Sequence, residues 1–352
     1  MKKYDLITAT SMGIRLTPTD RQPVGIGNHY VMHSTSAESN VLNVSASLGL
    51  KTKVLTAFVK DSPIADFIKR DLGRRFIAFE GPEIDQNGPW GHRHQFNIAD
   101  AGFGVRGPRV HNDRAGEVGL LLSEEQFDLE QIFAKDGARM IHFSGLFAAL
   151  SKNTAAFCLK LAQAARENGT LISFDLNHRA SFWANREEEL HQDFHQIASL
   201  SDILIGNEED YQLALHIEGP QAGGEGIKAQ REDFKGMIKA AQARYPQVKV
   251  FANTLREVKS ANEHLWGALL YMDGAWYEAP LREIQVLDRI GGGDGFVGGL
   301  LYSILQNWPG ERCVQFAWST GALATTMLED FASPVNEQQV WSIWDGNARV
   351  VR

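Results

Sequence analysis

Cysteine is nearly absent from this chain. Cys158 and Cys313 are the two in 352 residues, each inside an apolar helical pattern, and their spacing matches neither a metal site nor a disulfide framework. They read as reduced core thiols, and the expected setting is cytoplasmic. Long apolar runs are missing too: MKKYDLITAT at the N-terminus holds no signal-peptide stretch, and nothing approaches transmembrane length. Positive charge is in short supply, with 35 Lys and Arg against 43 Asp and Glu for a net charge of −8. That balance excludes a broad cationic surface, so neither nucleic acid nor membrane is an expected partner, and any anion must be captured locally. The GxxxxGK[ST] nucleotide motif is absent, and so are internal repeats and low-complexity segments.

What remains is an ordinary globular balance, 43% apolar and 22% charged, arranged as alternating strands and helices. YDLITAT and KVLTAF read as strands, with a helix between them that carries Val41, Val44 and Leu48 at helical spacing. Ser62 and Pro63 open a second helix as cap and first-turn proline, and Gly73 is expected to close it. The alternation continues through MIHFSG, a helix over 153–168, TLISFDL, a helix from Arg186, DILIG, a helix from Glu208, and VKVFANT. Such alternation predicts a mainly parallel sheet covered on both faces. HLWGALLYMDGAWYEAP predicts a hairpin turning at Asp273-Gly274. Two segments break the rhythm, about 12–36 and 82–112, rich in Gly, Pro, His and Arg; they are expected to form a lid inserted into one domain spanning 1–352.

Ligands of open parallel sheets bind beyond the carboxyl ends of the strands. There stands DRIGGGDGF, Asp288 to Phe296, ahead of an apolar helical run. Glycines at a helix start let an anion approach unpaired N–H groups. An acid at the same point, Asp294, suits a phosphoryl transfer in which amides hold phosphate oxygens and a carboxylate takes the proton of an attacking hydroxyl. The short motif alone is equally a loop followed by a helix cap.

Six further stretches accompany it: DRAG at Asp113, HFSGLFAALS from His142, FDLNHRASFW from Phe174, DILIGNEED from Asp202, TLRE at Thr254, and the hairpin with WGALLY. In this order, from first strand to last helix, they resemble the ribokinase-like (PfkB-type) carbohydrate kinases, and in detail their 2-keto-3-deoxygluconate kinase branch. The resemblance implies a ribokinase-like α/β three-layer sandwich with a small β lid, ATP and Mg2+ as co-substrates, and a homodimer formed through the lid. It places Asp294 at the catalytic base and Gly291, Gly292 and Gly293 at the anion hole. Asn177, Arg179, Asn207, Thr254 and Arg256 fall on nucleotide-side positions, and Glu208 on the magnesium network, with Asp210 replacing the family's second acid. Asn40, Arg106, Arg179 and Asp330 fall on the sugar side, Arg106 as the lid arginine that faces a sugar acid.

The sugar side departs from the family's pattern. The first strand ends in Thr10-Ser11 where the family has Gly-Glu or Gly-Asp, and TSAESN stands for GGAEAN, with Thr35 and Ser36 in place of both glycines. Added bulk there implies a smaller or differently shaped pocket. GHRHQF puts Arg93 and His94 near the places of the branch's lid tyrosines, which would suit a more anionic substrate. The expected function is an ATP-dependent sugar kinase acting on the primary hydroxyl of a sugar acid such as 2-keto-3-deoxygluconate. A kinase of another sugar, or a non-catalytic sugar- or nucleotide-binding regulator on the same fold, is the alternative.

Overall fold

The computed structural model describes residues 2–220 and 231–349. Its centre is a nine-stranded sheet. From one edge the strands are Ala275–Gln285, Glu263–Met272, Val250–Val258, Ile203–Ile205, Leu171–Asp175, Ala138–Ser144, Tyr4–Ala9, Thr52–Leu55 and Ile77–Glu80. Neighbours from Val250–Val258 to Ile77–Glu80 pair in parallel, whereas the hairpin Glu263–Gln285 adds two antiparallel strands. That hairpin turns at Asp273 and Gly274, both left-handed (φ 52° and 81°), the conformation that Asp-Gly tolerates.

Alternation along the strands splits the core in two. Ile7, Ile141, Phe143 and Phe174 face helices that contribute Phe157, Leu161 and Phe194. Leu6, Met140 and Ile205 face the opposite way, toward Val41, Leu300, Leu301 and Val314. Helices therefore cover both faces, as the βα alternation requires. The helix opened by Ser62 is capped as expected, the Ser62 hydroxyl accepting from Ile64 and Ala65 amides. It runs one residue past Gly73, to Arg74, and the chain reverses at Phe76 (φ 57°) instead. Among the described residues no helix is long and apolar enough to cross a membrane.

The two irregular segments build a second sheet of four strands in the order Tyr30–Thr35, Gly13–Pro18, Phe96–Ala99 and Val110–Asp113. The second and third of these pair in parallel, so residues about eighty positions apart share one surface. This sheet stands at the carboxyl ends of the central strands. Between the two lies a cavity of about 1150 Å3.

Candidate active site

The floor of the cavity is set by the start of the helix Gly292–Leu305. Gly291 precedes it in the left-handed region (φ 85°), and a Cβ there would lie 1.9 Å from the Asp330 carbonyl oxygen. Only glycine fits both the conformation and the contact. A Cβ on Gly293 would meet nothing within 4 Å, because this residue faces the open cavity. The first-turn amides have no intrahelical acceptors, so Gly291, Gly293 and Asp294 present N–H groups there. Gly292 differs from expectation: it is buried behind this wall, its N–H directed at the Arg289 carbonyl at 3.4 Å.

Asp294 meets the helix Ala37–Ser47 across a close backbone contact. A Cβ on Gly298 would fall 2.6 Å from the Val41 carbonyl oxygen, so a larger residue would push the two helices apart. At this separation Asn40 Nδ2 donates to Asp294 Oδ2 at 3.0 Å. Asp294 keeps one edge on the cavity. Burial raises its pKa to about 7; the Asn40 hydrogen bond opposes the shift, and the charges of Asp330 and Glu38 add to it. A carboxylate near that value takes a proton readily at neutral pH.

The wall beyond Asp294 holds the other expected nucleotide-side residues. Asn177, Arg179, Asn207, Glu208, Thr254 and Arg256 all line the cavity. Asn177 adopts a left-handed conformation (φ 37°) and donates from Nδ2 to the Ser144 hydroxyl at 3.1 Å. Arg179 projects from the loop after Leu171–Asp175, its Nη1 donating to the carbonyl of its neighbour His178 at 2.7 Å. Asn207 caps the helix Glu208–Leu215, accepting from the Asp210 amide at 2.9 Å. Asp210, the replacement acid, accepts from the amides of His178 and Asn207, both at 2.8 Å. It thereby ties two cavity loops together, and burial moves its pKa up to about 6 against these hydrogen bonds. Asp175 and Arg289, which sequence reasoning missed, also line this region. Burial, then the charges of Asp210 and Asp294, pushes the Asp175 carboxyl well above the usual range. Arg289 lies within DRIGGGDGF, where the glycines carry the stronger sequence signal.

The acceptor end is where the expectations change most. Arg106 does not reach the cavity; its Nη1 donates to Asp100 at 2.8 Å and its Nη2 to the Arg21 carbonyl. The lid arginine that does line the cavity is Arg114, within DRAG. Its Nη1 contacts both oxygens of Glu117, at 2.7 and 2.9 Å, while its Nε is buried without a partner. Nor do Arg93 and His94 add charge to the site. Arg93 pairs with Asp113 and the Ala115 carbonyl. His94 is buried, its ring nitrogens engaged by the Met12 carbonyl at 3.0 Å and the Val59 amide at 3.3 Å, and burial lowers its pKa. In their place the small sheet presents Gln95, Asn97 and Asn112, which are uncharged.

Thr35 and Ser36 line the cavity but turn their hydroxyls into the protein. Thr35 Oγ1 donates to Asp330 at 2.6 Å, and Ser36 Oγ caps its helix by accepting from the Ser39 amide at 3.0 Å. Asp330 is also bound by His33 Nε2 at 2.9 Å, with Arg15 Nη1 at 3.8 Å. Burial alone would raise the Asp330 pKa, but His33, Arg15 and Thr35 together hold it well below the usual carboxylate range. Asp330 thus reaches the cavity wall as a permanently charged, already partnered group.

Comparison with known proteins places the chain in a family. Residues 7–330 match the pfkB family carbohydrate kinase pattern. A 2-dehydro-3-deoxygalactonokinase from Haloferax volcanii is 24% identical over 351 residues, 99% of each chain. A 5-dehydro-2-deoxygluconokinase from Clostridium perfringens is 22% identical, covering 92% of this chain and 87% of its own. The crystal structure of 2-dehydro-3-deoxygluconokinase from Thermotoga maritima superposes with a TM-score of 0.86 at 27% identity, covering 98% of this chain and 99% of the other.

Proposed function

The chain belongs to the pfkB family of carbohydrate kinases, and from that premise we propose that it transfers the γ-phosphoryl group of ATP to a primary hydroxyl of a sugar acid of the 2-keto-3-deoxygluconate type. The observation that carries this reading is the meeting of Asp294 with open glycine amides on the cavity floor, while Arg114 stands on the wall formed by the small sheet. Asp294 takes the proton of the attacking hydroxyl. The amides of Gly291 and Gly293 hold charge that develops on the phosphoryl oxygens, a role that needs no side-chain rearrangement. Arg179, Arg256 and Arg289 supply positive charge along the phosphate path, and Arg114 offers its free N–H to the acid group of the acceptor. The small sheet acts as the lid that excludes water, the competing acceptor.

The residues present suit magnesium delivered with the nucleotide. Among the described residues no three His, Cys, Asp or Glu side chains converge on one point. Glu208 offers one carboxylate from the cavity wall, which fits an ion that keeps several waters and takes its other ligands from phosphate. When bound, magnesium neutralises phosphate charge. Asn207 and Asp210 shape the loop that carries Glu208.

A homodimer through the small sheet is part of the same proposal. That sheet and its loops expose Tyr30, Met32, Trp90, Phe103, Val105 and Val110, an apolar set that water disfavours on a monomer. Met32→Glu combined with Val110→Lys is expected to shift sedimentation to the monomer. A reducing, cytoplasmic setting fits the two buried free thiols. The binder reading draws on the glycines lost at Thr35 and Ser36; both residues line the cavity, with their hydroxyls turned inward.

The test is ADP release from ATP and magnesium with 2-keto-3-deoxygluconate and a panel of sugars and sugar acids. Turnover that needs one of the acids and disappears in Asp294→Asn bears the reading out; turnover with neutral sugars alone reassigns the acceptor.

A further inference from the structure

The first turn of the helix Ala37–Ser47 carries a second acid beside the base. Glu38 is 1% exposed, yet it lines the same cavity as Asp294. Its two oxygens are treated differently. Oε2 accepts from the Thr10 hydroxyl at 2.5 Å, whereas Oε1 is buried with no hydrogen-bond partner. The Ser144 hydroxyl, the Glu38 amide and the charge of Arg114 also favour the ionised carboxyl, yet no donor meets hydrogen-bond geometry at Oε1. Two residues on, Asn40 is held by its donation to Asp294, and its own Oδ1 is likewise buried and unpartnered. Both hydroxyls at the end of the first strand are spent on fixing carboxylates, Thr10 on Glu38 and Ser11 on Glu117.

A buried acceptor oxygen left without a donor is expensive, and such groups in native proteins are matched by water, an ion or a ligand. Here the residue stands in the wall of a cavity whose proposed occupant is rich in hydroxyl donors. The Thr10 hydrogen bond fixes the carboxyl plane, so Oε1 addresses one place rather than sweeping over several. On the reading of the site as that of a sugar-acid kinase, we propose that Glu38 is a specificity-determining residue: Oε1 accepts a hydrogen bond from a second hydroxyl of the acceptor, distinct from the one Asp294 deprotonates, and so selects the configuration at that carbon. Burial raises the Glu38 pKa, and a hydroxyl donor arriving with the acceptor would relieve part of that desolvation.

The experiment compares kcat/KM for 2-dehydro-3-deoxygluconate, its C4 epimer and its 5-deoxy analogue in the native chain, Glu38→Ala, Glu38→Gln and Thr10→Val. The native chain should favour one of the three at least tenfold. In Glu38→Ala the preference should shrink by about 10- to 100-fold, the range for a site that loses its hydrogen bond to a substrate hydroxyl, with the KM for ATP within about twofold. Glu38→Gln preserves volume and can keep the Thr10 contact while turning its amide N–H2 to the cavity. It should lose the preference too, which keeps the test alive if the alanine variant fails to fold. Thr10→Val should weaken the preference by less. An equal fall for all three acceptors in the folded variants would make Glu38 structural and overturn the proposal while leaving the kinase reading intact. If the native chain phosphorylates none of the three, the sugar-acid reading fails and this inference falls with it.

Discussion

Where the phosphates would lie, the cavity wall is largely backbone: Gly291, Gly293 and the loops after the central strands, backed by arginines. Where the acceptor would lie, it is side chains drawn from separate segments: Thr10 and Ser11, Thr35 to Asn40, Gln95 and Asn97, Asn112 and Arg114, and Asp330. A backbone site depends on a few residues that cannot be larger, such as Gly291, and tolerates little change. A side-chain site can be rebuilt one residue at a time without disturbing the sheet. On the proposed reading, the first region would fix the chemistry and the second the choice of acceptor.

The largest expected effect breaks the chemical end alone. Asp294→Asn keeps the Asn40 contact within reach but cannot accept a proton, and kcat should fall by about 10²- to 10⁴-fold. ATP binding and the melting temperature should stay near native values, as measured by nucleotide titration and thermal unfolding.

Arg114→Met tests the other end. It removes a charged donor that the small sheet presents to the cavity and leaves the buried Glu117 with the Ser11 hydroxyl. The KM for the sugar acid should rise by about 10- to 100-fold, with the ATP KM little changed. Equal loss for both substrates would mean that the two regions are not separable in the way the geometry divides them.

The pH profile distinguishes the ends without a mutation. In the proposed role Asp294 acts in its ionised form, and burial raises its pKa in the free chain to about 7. The acceptor kcat/KM should therefore fall about tenfold per unit as pH drops below that value and level off above it. Asp330, partnered by His33 and Thr35, has its pKa held low and contributes no change in this range.

The same division explains what the sequence disclosed. The parallel sheet, the hairpin at Asp273-Gly274 and the glycine floor were readable because each depends on local periodicity or on glycine conformations that few residues replace. The acceptor end was not. Gln95 and Asn97 join Thr35 and Asn40 only because Gly13–Pro18 pairs in parallel with Phe96–Ala99, and no local pattern announces that pairing. Arg106 and Arg114 are equally plausible as letters; which one turns inward is decided by Asp100, whose burial demands the nearer guanidinium. His94, expected near the lid positions that would suit an anionic substrate, is instead taken into the core because Met12 and Val59 satisfy both its nitrogens. Glu38 was visible as a retained acid, but its free oxygen is a property of Thr10, twenty-eight residues earlier.

The smallest expected effect is on catalysis by Arg106→Ala, and it sharpens the boundary between lid and site. Asp100 is fully buried and also accepts from the amides of Val24 and Gly102, at 3.1 and 3.0 Å. Losing the guanidinium leaves that carboxylate with neutral donors only, a stability cost of about 1–3 kcal/mol readable as a lower melting temperature. Because Arg106 points away from the cavity, both KM values should remain within about twofold. A large rise in the acceptor KM with native stability would move Arg106 back into the site, and with it the line drawn between the residues that hold the small sheet together and those that read the sugar.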